Sequence, residues 1–204
     1  MLYYVSKMML YYFSKICFNV RMTGYDKFPD KAPFLIVSNH ASLVDPPFIG
    51  VLCKKHHVSF MAKAELFNKV LGWWSRGVGC IEVKRGQNAV SSLKEAIRRL
   101  KDGKVVAIFP EGTRSEDGQL QDAKRGIGFL VDKAAVPVVP VFINGTAQAF
   151  PKGGGIKFGQ EVVVRAGDPI MPEELRAAAG TGKKDYDAVS SLIMEHIAAL
   201  NPNS

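Results

Sequence analysis

Residues 89–109, AVSSLKEAIRRLKDGKVVAIF, place an amphipathic helix directly before a short apolar strand. Gly103 ends the helix, whose apolar positions recur at helical spacing: Val90, Leu93, Ile97 and Leu100. Residues 104–109 predict a strand, and the continuous apolar run over 105–109 is typical of a strand that is buried on both faces. This helix and strand are typical of an α/β unit.

The same alternation continues along the chain. Apolar runs predict further strands at 34–37, 58–61, 81–83, 138–143 and 162–165. Between and after them, helices are expected at about 46–53, 65–74, 124–133 and 185–200. We therefore predict an α/β fold with a mostly parallel central sheet flanked by helices, and a ligand site beyond the carboxyl ends of its strands.

Composition excludes several classes of protein. The 204 residues carry 27 Lys and Arg against 19 Asp and Glu, a net charge of +8, and 47% of them are apolar. That balance fits one globular domain and excludes a disordered chain. Three dispersed cysteines form no CxxC pair, so a reducing compartment is expected. Nucleic acid is not an expected partner, because the cations are dispersed and no zinc-finger or RNP-like motif is present.

The first 22 residues differ from the rest of the chain because residues 2–20 are mostly apolar and aromatic. Lys7 and Lys15 flank the midpoint, and a lysine at the centre of a bilayer costs about 2.5–3.5 kcal/mol. Together with Ser14, both lysines lie on one side of a helix. We predict a membrane-interface helix over residues 1–22, followed by one domain over 23–204. The helix would lie in an anionic membrane surface without crossing it. The alternative is a helix packed onto the protein's own core.

A loop with acid–base chemistry follows the strand at 34–37. His40 is suited to accept a proton near neutral pH, and Asp45 could fix its tautomer and support the imidazolium. Five residues along a regular helix would place them about 140° apart, so a turn is needed to join them. The alternative is that Asp45 only caps the next helix and His40 is an ordinary loop residue.

A second polar loop, Phe-Pro-Glu-Gly-Thr-Arg-Ser at 109–115, follows the strand at 104–109. Gly112 permits close backbone approach, Thr113 offers a hydroxyl, and the planar fork of Arg114 suits phosphate oxygens. Glu111 would brace Arg114 or position a substrate hydroxyl. The alternative is a polar turn with an internal Glu–Arg pair.

Taken together, these loops resemble the motifs of the glycerolipid acyltransferase superfamily, in its 1-acylglycerol-3-phosphate O-acyltransferase (lysophosphatidic acid acyltransferase) branch. The first motif matches Asn39, His40 and Asp45, and the third matches 109–115 without change. Further matches are Gly79, Ile81, Val83 and Arg85 for the second motif, 136–141 for the fourth, and a phosphate-binding lysine at Lys63. Lys84 stands where the family often has an acidic residue. The resemblance spans about residues 25–170.

The resemblance implies an enzyme that makes phosphatidate for phospholipid biosynthesis. It implies that His40, supported by Asp45, is the general base that activates the 2-hydroxyl of 1-acylglycerol 3-phosphate. The acyl group would come from acyl-CoA or acyl-carrier protein, with no other cofactor. Substrate-binding residues would be Lys63, Arg85, Glu111, Gly112, Thr113 and Arg114, with Asn39 near the reacting centre. Another lysophospholipid or glycerol 3-phosphate is the alternative acceptor. A monotopic or peripheral position at the cytoplasmic face of the cell membrane follows from the lipid acceptor.

Three other functions fit the sequence less well. A serine hydrolase would need Ser42 as its nucleophile, since no Gly-x-Ser-x-Gly elbow is present. No metal site is expected, because the adjacent His56 and His57 would point apart. Gly126-Ile127-Gly128 lacks the third glycine of a dinucleotide loop and favours close helix packing instead. A basic module that only binds membranes is the non-enzymatic alternative.

Overall fold

A computed structural model describes residues 2–67, 69–83 and 89–202. Its strands are β1 (Asn19–Thr23), β2 (Phe34–Ser38), β3 (Val58–Lys63), β4 (Ile81–Val83), β5 (Val105–Ile108), β6 (Val138–Asn144) and β7 (Glu161–Ala166). Its helices are α1 (Leu2–Cys17), α2 (Asp45–Leu52), α3 (Lys69–Gly77), α4 (Ala89–Lys101), α5 (Gly126–Ala134), α6 (Thr146–Ala149), α7 (Pro172–Ala179) and α8 (Tyr186–Ala198).

The strands form one sheet in the order β1-β7-β6-β2-β5-β3-β4. All neighbouring strands in this order are parallel except β6 and β7, which are antiparallel. The predicted α/β fold with a mostly parallel sheet is therefore confirmed. Connections that carry helices are what parallel pairing requires, and they cover both faces of the sheet.

Each face of the sheet has its own apolar core. On one face α4, α5, α7 and α8 bury side chains such as Leu100, Leu130 and Ile193. On the other, α2 and the end of α1 bury Phe18, Phe48 and Leu52 among others. The central strand β2 is fully buried along its length, as a strand covered from both sides must be.

The amino-terminal helix is shorter than predicted. It ends at Cys17, because Asn19–Thr23 pairs in parallel with β7 and becomes the edge strand β1. The predicted boundary at residue 22 is therefore wrong for the helix. Gly24 closes this strand with a φ of 82°, and a Cβ there would overlap the carbonyl of Ala166.

Two further differences concern local structure. The predicted helix over 65–74 is a 3₁₀ turn at Ala64–Phe67 followed by α3, which continues to Gly77. In addition, α7, whose first residue is Pro172, is a helix that no sequence pattern predicts. Gly126 and Gly128 do allow close packing, since a Cβ on Gly128 would overlap the carbonyl of Tyr186 at the start of α8.

Parallel pairing places the two polar loops side by side. Val37 of β2 is in register with Ile108 of β5, so both strands deliver their following residues to the same edge of the sheet. The first loop follows Ser38 and the second follows Ile108. The candidate site lies at this edge.

Candidate active site

The side chains of His40 and Asp45 contact each other. His40 Nδ1 lies 2.8 Å from Asp45 Oδ2, because the loop after β2 turns before α2 begins at Asp45. Asp45 is fully buried, and the same oxygen accepts the backbone N–H groups of Ala41 and Ser42, each at 2.7 Å. These three contacts fix the carboxylate, so that an Nδ1–H on His40 leaves the lone pair on Nε2.

The second loop holds His40 in place. Its ring stacks on Phe109 with centroids 4.0 Å apart and planes inclined by 17°. The backbone N–H of His40 donates to Glu111 Oε2 at 3.1 Å, and its carbonyl accepts the N–H of Ser115 at 2.8 Å. His40 Nε2 has no hydrogen-bond partner among the residues that the structure describes. The free nitrogen is on the ring that lines the cavity described below.

Glu111 makes contacts that the sequence did not predict. Its carboxylate does not contact Arg114 but accepts two backbone N–H groups, from His40 and, at 3.3 Å, from Gln121. Only 3% of Glu111 is exposed. This burial raises the pKa of the carboxyl group from 4.5 to about 7, against the opposing effect of its two hydrogen bonds. Both the brace on Arg114 and the internal Glu–Arg pair are therefore wrong, and Glu111 ties the two loops together.

Three predicted binding residues, Gly112, Thr113 and Arg114, line the same cavity as His40. Gly112 has a φ of 71°, which a residue with a Cβ rarely adopts. Lys124 Nζ lies 2.8 Å from the position that such a Cβ would occupy. The sequence alone does not predict Lys124 as a site residue, because a single lysine nine residues beyond Ser115 forms no local pattern with the loop.

The side chains of Asn39 and Ser42 are hydrogen-bonded to the backbone of other segments. The side-chain amide of Asn39 donates to the carbonyl of Ile143 and accepts its N–H, both at 2.8 Å. Both amide atoms of Asn39 are thus bonded to β6, so this residue positions the loop. The prediction that Asn39 supports the reacting centre is therefore corrected, because no amide atom is left for that role. Ser42 Oγ donates to the carbonyl of Phe150 at 2.7 Å, so its hydroxyl is not paired with His40.

Two predicted cations cannot be placed fully. Lys63 is the last residue of β3, in register with Val83 of β4, but its side chain is outside the described part of the structure. Arg85 lies outside the described residues. The start of the second motif is described: Gly79 has a φ of 77° and precedes β4, which pairs with β3.

A cavity of about 600 Å³ is lined by His40 together with residues of both polar loops. Its lining is mainly apolar and comes from α1, the first loop with α2, β3, α3 with the residues that follow it, and the second loop. The lining residues include Leu10, Leu43, Pro46, Phe60, Met61, Trp74, Val78 and Phe109. Such a cavity suits a hydrocarbon chain attached to a polar reacting group.

The cavity also contains the thiol of Cys80. Burial raises its pKa to about 11, with Arg99 acting weakly in the opposite direction. Very little thiolate therefore exists near neutral pH, and Cys80 is a poor candidate for a nucleophile. The adjacent histidines at 56 and 57 use Nε2 to contact the carbonyls of Pro29 and Val78, respectively.

The polar side of α1 faces the protein. Lys7 Nζ donates to the carbonyls of Cys53 and Lys54 at 2.6 and 3.0 Å, at the end of α2. Ser6 accepts the indole N–H of Trp74 at 3.0 Å, while Ser14 is buried. The opposite side is exposed and apolar: Tyr4, Val5, Met8, Met9, Tyr12, Phe13 and Ile16. The helix thus packs on the body by one side only. In the residues described, no helix combines the length and apolar character needed to cross a bilayer.

The chain is similar to known acyltransferases. The family model described as acyltransferase matches residues 19–144. A 1-acyl-sn-glycerol-3-phosphate acyltransferase from Bacillus subtilis is 33% identical over 79% of this chain and 82% of its own length. A chloroplastic 1-acyl-sn-glycerol-3-phosphate acyltransferase from Brassica napus is 35% identical, and this chain spans 38% of its length.

A solved structure has the same fold. The crystal structure of the 1-acyl-sn-glycerophosphate (LPA) acyltransferase PlsC from Thermotoga maritima aligns with a TM-score of 0.79 and 28% identity. The alignment covers 98% of this chain and 80% of that protein. The likeness therefore includes α1 and both polar loops.

Proposed function

The chain belongs to the acyltransferase family, and from this premise we propose that it acylates the 2-hydroxyl of 1-acylglycerol 3-phosphate, giving phosphatidate. The names of the relatives support this acceptor. Acyl-CoA or acyl-carrier protein supplies the acyl group as a thioester, and no further cofactor takes part.

The observation that carries the proposal is the pairing of a buried Asp45 with His40, which lines an apolar cavity. The contact of 2.8 Å leaves Nε2 as the basic nitrogen. A carboxylate that is already held by two backbone N–H groups keeps the imidazole oriented and stabilises its charged form. General-base catalysis of this kind contributes about 10²–10⁴-fold to the rate.

The proposed reaction proceeds by direct transfer. His40 Nε2 removes the proton of the glycerol 2-hydroxyl while that oxygen bonds to the thioester carbonyl carbon. The tetrahedral intermediate then breaks its C–S bond, and the departing sulfur takes the proton from the imidazolium. The products are phosphatidate and a free thiol. No acyl-enzyme forms, which is consistent with the engaged hydroxyl of Ser42 and the raised pKa of Cys80.

The acceptor's phosphate is assigned to the cations around the second loop. Arg114 lines the cavity with His40, and no ion pair involves it among the residues described. The ammonium group of Lys124 lies over Gly112 and adds a second positive charge at the same place. Lys63 and Arg85 complete the proposed set from the sequence. Arginine offers phosphate a planar pair of donors, and lysine adds a point charge.

The acceptor's location supports a position at the cytoplasmic face of the cell membrane. Its hydrocarbon chain stabilises it in the bilayer by about 0.8 kcal/mol per methylene, so complete extraction is costly. The exposed apolar side of α1, next to the cavity, would lie among the lipid headgroups with Lys15 toward anionic lipid. The protein is proposed to be monotopic or peripheral.

Replacement of the base tests the function. We expect His40→Ala to lose at least about 10²-fold in kcat, because the hydroxyl is no longer deprotonated. Thiol release from an acyl thioester, with 1-acylglycerol 3-phosphate as acceptor, measures the rate. His196→Ala, on α8 and paired with Glu174 at 3.2 Å, is the matched control and keeps the wild-type rate. Equal rates for both variants, or equal use of a phosphate-free monoacylglycerol by the wild type, contradict the proposal.

A further inference from the structure

The surface loop 151–159, PKGGGIKFG, joins α6 to β7 and exposes apolar side chains. Phe158 is 70% exposed and Ile156 is 37% exposed. A phenylalanine that keeps most of its surface in water loses the stabilisation of about 1.5–3 kcal/mol that burial would give it. Neither side chain contributes to the two cores of the protein.

This surface loop adjoins the end of α1. The backbone N–H of Gly159 donates to the carbonyl of Cys17 at 2.8 Å, and that of Asn19 donates to Gln160 at 2.9 Å. Phe158 is thus one residue away from the contact with α1. On the last turn of that helix Ile16 is 82% exposed, and Phe13 is 43% exposed. The two exposed apolar groups therefore belong to neighbouring segments.

The other end of the surface loop adjoins the active site. Phe150, directly before the loop, accepts the hydroxyl of Ser42 at 2.7 Å. Leu43, which follows Ser42 in the sequence, is 49% exposed and lines the cavity with His40. We call the exposed edge of the cavity at Leu43 the cavity mouth. The loop folds back there, since the N–H of Lys157 donates to the carbonyl of Ala149 at 2.9 Å. It therefore runs from the cavity mouth to the end of α1.

The charge of the segment favours one kind of partner. Residues 151–160 contain two lysines and no acidic residue. Lys152 pairs with the exposed Glu116 at 2.6 Å, whereas Lys157 is exposed and has no ion pair in the part of the chain described. Exposed aromatic and aliphatic groups beside an unpaired lysine, here Lys157, are typical of surfaces that enter the headgroup region of anionic bilayers.

We propose that the surface loop 151–159 is a second membrane-contacting segment, which inserts Phe158 and Ile156 beside α1 and holds the cavity mouth against an anionic lipid bilayer. The inference rests on the proposed function in one respect, namely that the cavity receives an acceptor from the bilayer. Its lipid contact is independent of catalysis. Two membrane contacts on different elements fix the tilt of the protein on the bilayer, whereas contact through α1 alone would leave the whole protein free to rotate about the axis of that helix. The bond between Ser42 and Phe150 couples the surface loop to the active-site loop.

Sedimentation of the full chain with vesicles of phosphatidylcholine and phosphatidylglycerol tests the apolar contact. Phe158→Asp is expected to weaken vesicle partitioning by about ten-fold or more, since a charged group replaces an aromatic ring that the bilayer would bury. The matched control is Val90→Asp on α4, 58% exposed but on the opposite face of the sheet. The control keeps wild-type partitioning. Wild-type partitioning of both variants, or the same loss of partitioning in both, overturns the inference.

A charge reversal tests the lipid preference. Each lysine near an anionic surface contributes about 1 kcal/mol, so Lys157→Glu should weaken binding to the phosphatidylglycerol vesicles by at least about five-fold. Lys183→Glu, an exposed residue between α7 and α8, is its control. Binding to pure phosphatidylcholine should change little in either variant. A loss in Lys183→Glu that equals the loss in Lys157→Glu overturns the role of the loop.

Acyl transfer to acceptor dissolved in detergent separates this inference from the proposed function. Phe158→Asp should keep the wild-type rate there, because no bilayer is involved. A loss of rate in detergent would place the loop in catalysis and overturn the surface contact. If the wild type forms a dimer and Phe158→Asp is a monomer, the loop contacts a second copy of the chain and the membrane contact is overturned. An inactive wild type contradicts the function but leaves the vesicle result intact.

Discussion

At the scale of single residues, Glu111 shows how one buried carboxyl group serves two loops. It accepts the N–H of His40 and that of Gln121, so it fixes the backbone of the base without contacting its ring. Since burial raises the pKa of Glu111 to about 7, the folded protein favours the protonated form. Its ionisation is therefore linked to the stability of the fold.

The sign of this linkage gives a prediction. Between pH 4.5, the ordinary pKa, and about pH 7, the unfolded chain loses the proton of Glu111 while the folded chain retains it. The free energy of unfolding therefore falls as pH rises through this window. Glu111→Gln, which resembles the neutral acid, should reduce the difference in unfolding free energy between pH 5 and pH 8 by about 2–3 kcal/mol.

Urea denaturation at the two pH values measures that difference. Glu173→Gln, an exposed residue in the first turn of α7, is the control and should keep the wild-type pH dependence. An unchanged pH dependence in Glu111→Gln would contradict the protonated state assigned to this carboxyl group.

At the scale of elements, the close approach of α5 and α8 depends on one missing side chain. A Cβ on Gly128 would overlap the carbonyl of Tyr186, which belongs to the backbone and cannot rotate away. The nearest atom to a Cβ on Gly126 is instead the tip of Leu93, at 3.2 Å. The two glycines occupy one helix but differ in what they face.

Gly128→Ala should therefore lower the free energy of unfolding by about 1–3 kcal/mol, because the two helices must move apart. Gly126→Ala should be nearly neutral, since the side chain of Leu93 can shift and alanine favours the helix by about 1 kcal/mol. Chemical denaturation compares the pair. Equal effects at the two positions would contradict the close contact between α5 and Tyr186.

At the scale of the whole molecule, the two sides of α1 face different surroundings. Its polar side closes the cavity through Ser6 and Lys7, which both line it. Its apolar side faces outward on the same face of the sheet as α2. The helix therefore joins two functions that the proposal requires, a wall for the hydrocarbon chain and contact with the bilayer.

A double variant separates the two functions. Met9→Ser with Ile16→Ser removes exposed apolar side chains, which are 65% and 82% accessible, and leaves the cavity lining untouched. We expect vesicle partitioning to weaken by more than about ten-fold, with the melting temperature and the acyl-transfer rate in detergent unchanged. Full vesicle binding by this variant would favour a helix that serves only the protein's own core.

Much of the fold follows from local periodicity. Buried strands such as those at 34–37 and 105–108 are continuous apolar runs, and α4 has a regular apolar stripe. Each of these elements can therefore be predicted without knowledge of its neighbours. The edge strand β1 was not predicted, because its residues follow an apolar helix and only pairing with β7 makes them extended. Likewise α7 begins with proline and buries few side chains, so its periodicity is weak.

The sequence by itself determined the alternation of strands and helices, and both motif loops, because the residues that define them are contiguous. It also identified His40, Asp45 and Arg114 as candidate site residues, because the side-chain types themselves suggest acid–base chemistry and phosphate binding. Only the tertiary structure decided what lies opposite each of them. The register of β2 on β5 places Glu111 where it accepts the backbone N–H of His40. The path of the residues before α5 places the ammonium group of Lys124 over Gly112. The inward direction of Lys7 was decided in the same way, by carbonyls at the end of α2. Contacts of this kind join distant parts of the chain, and packing alone selects them.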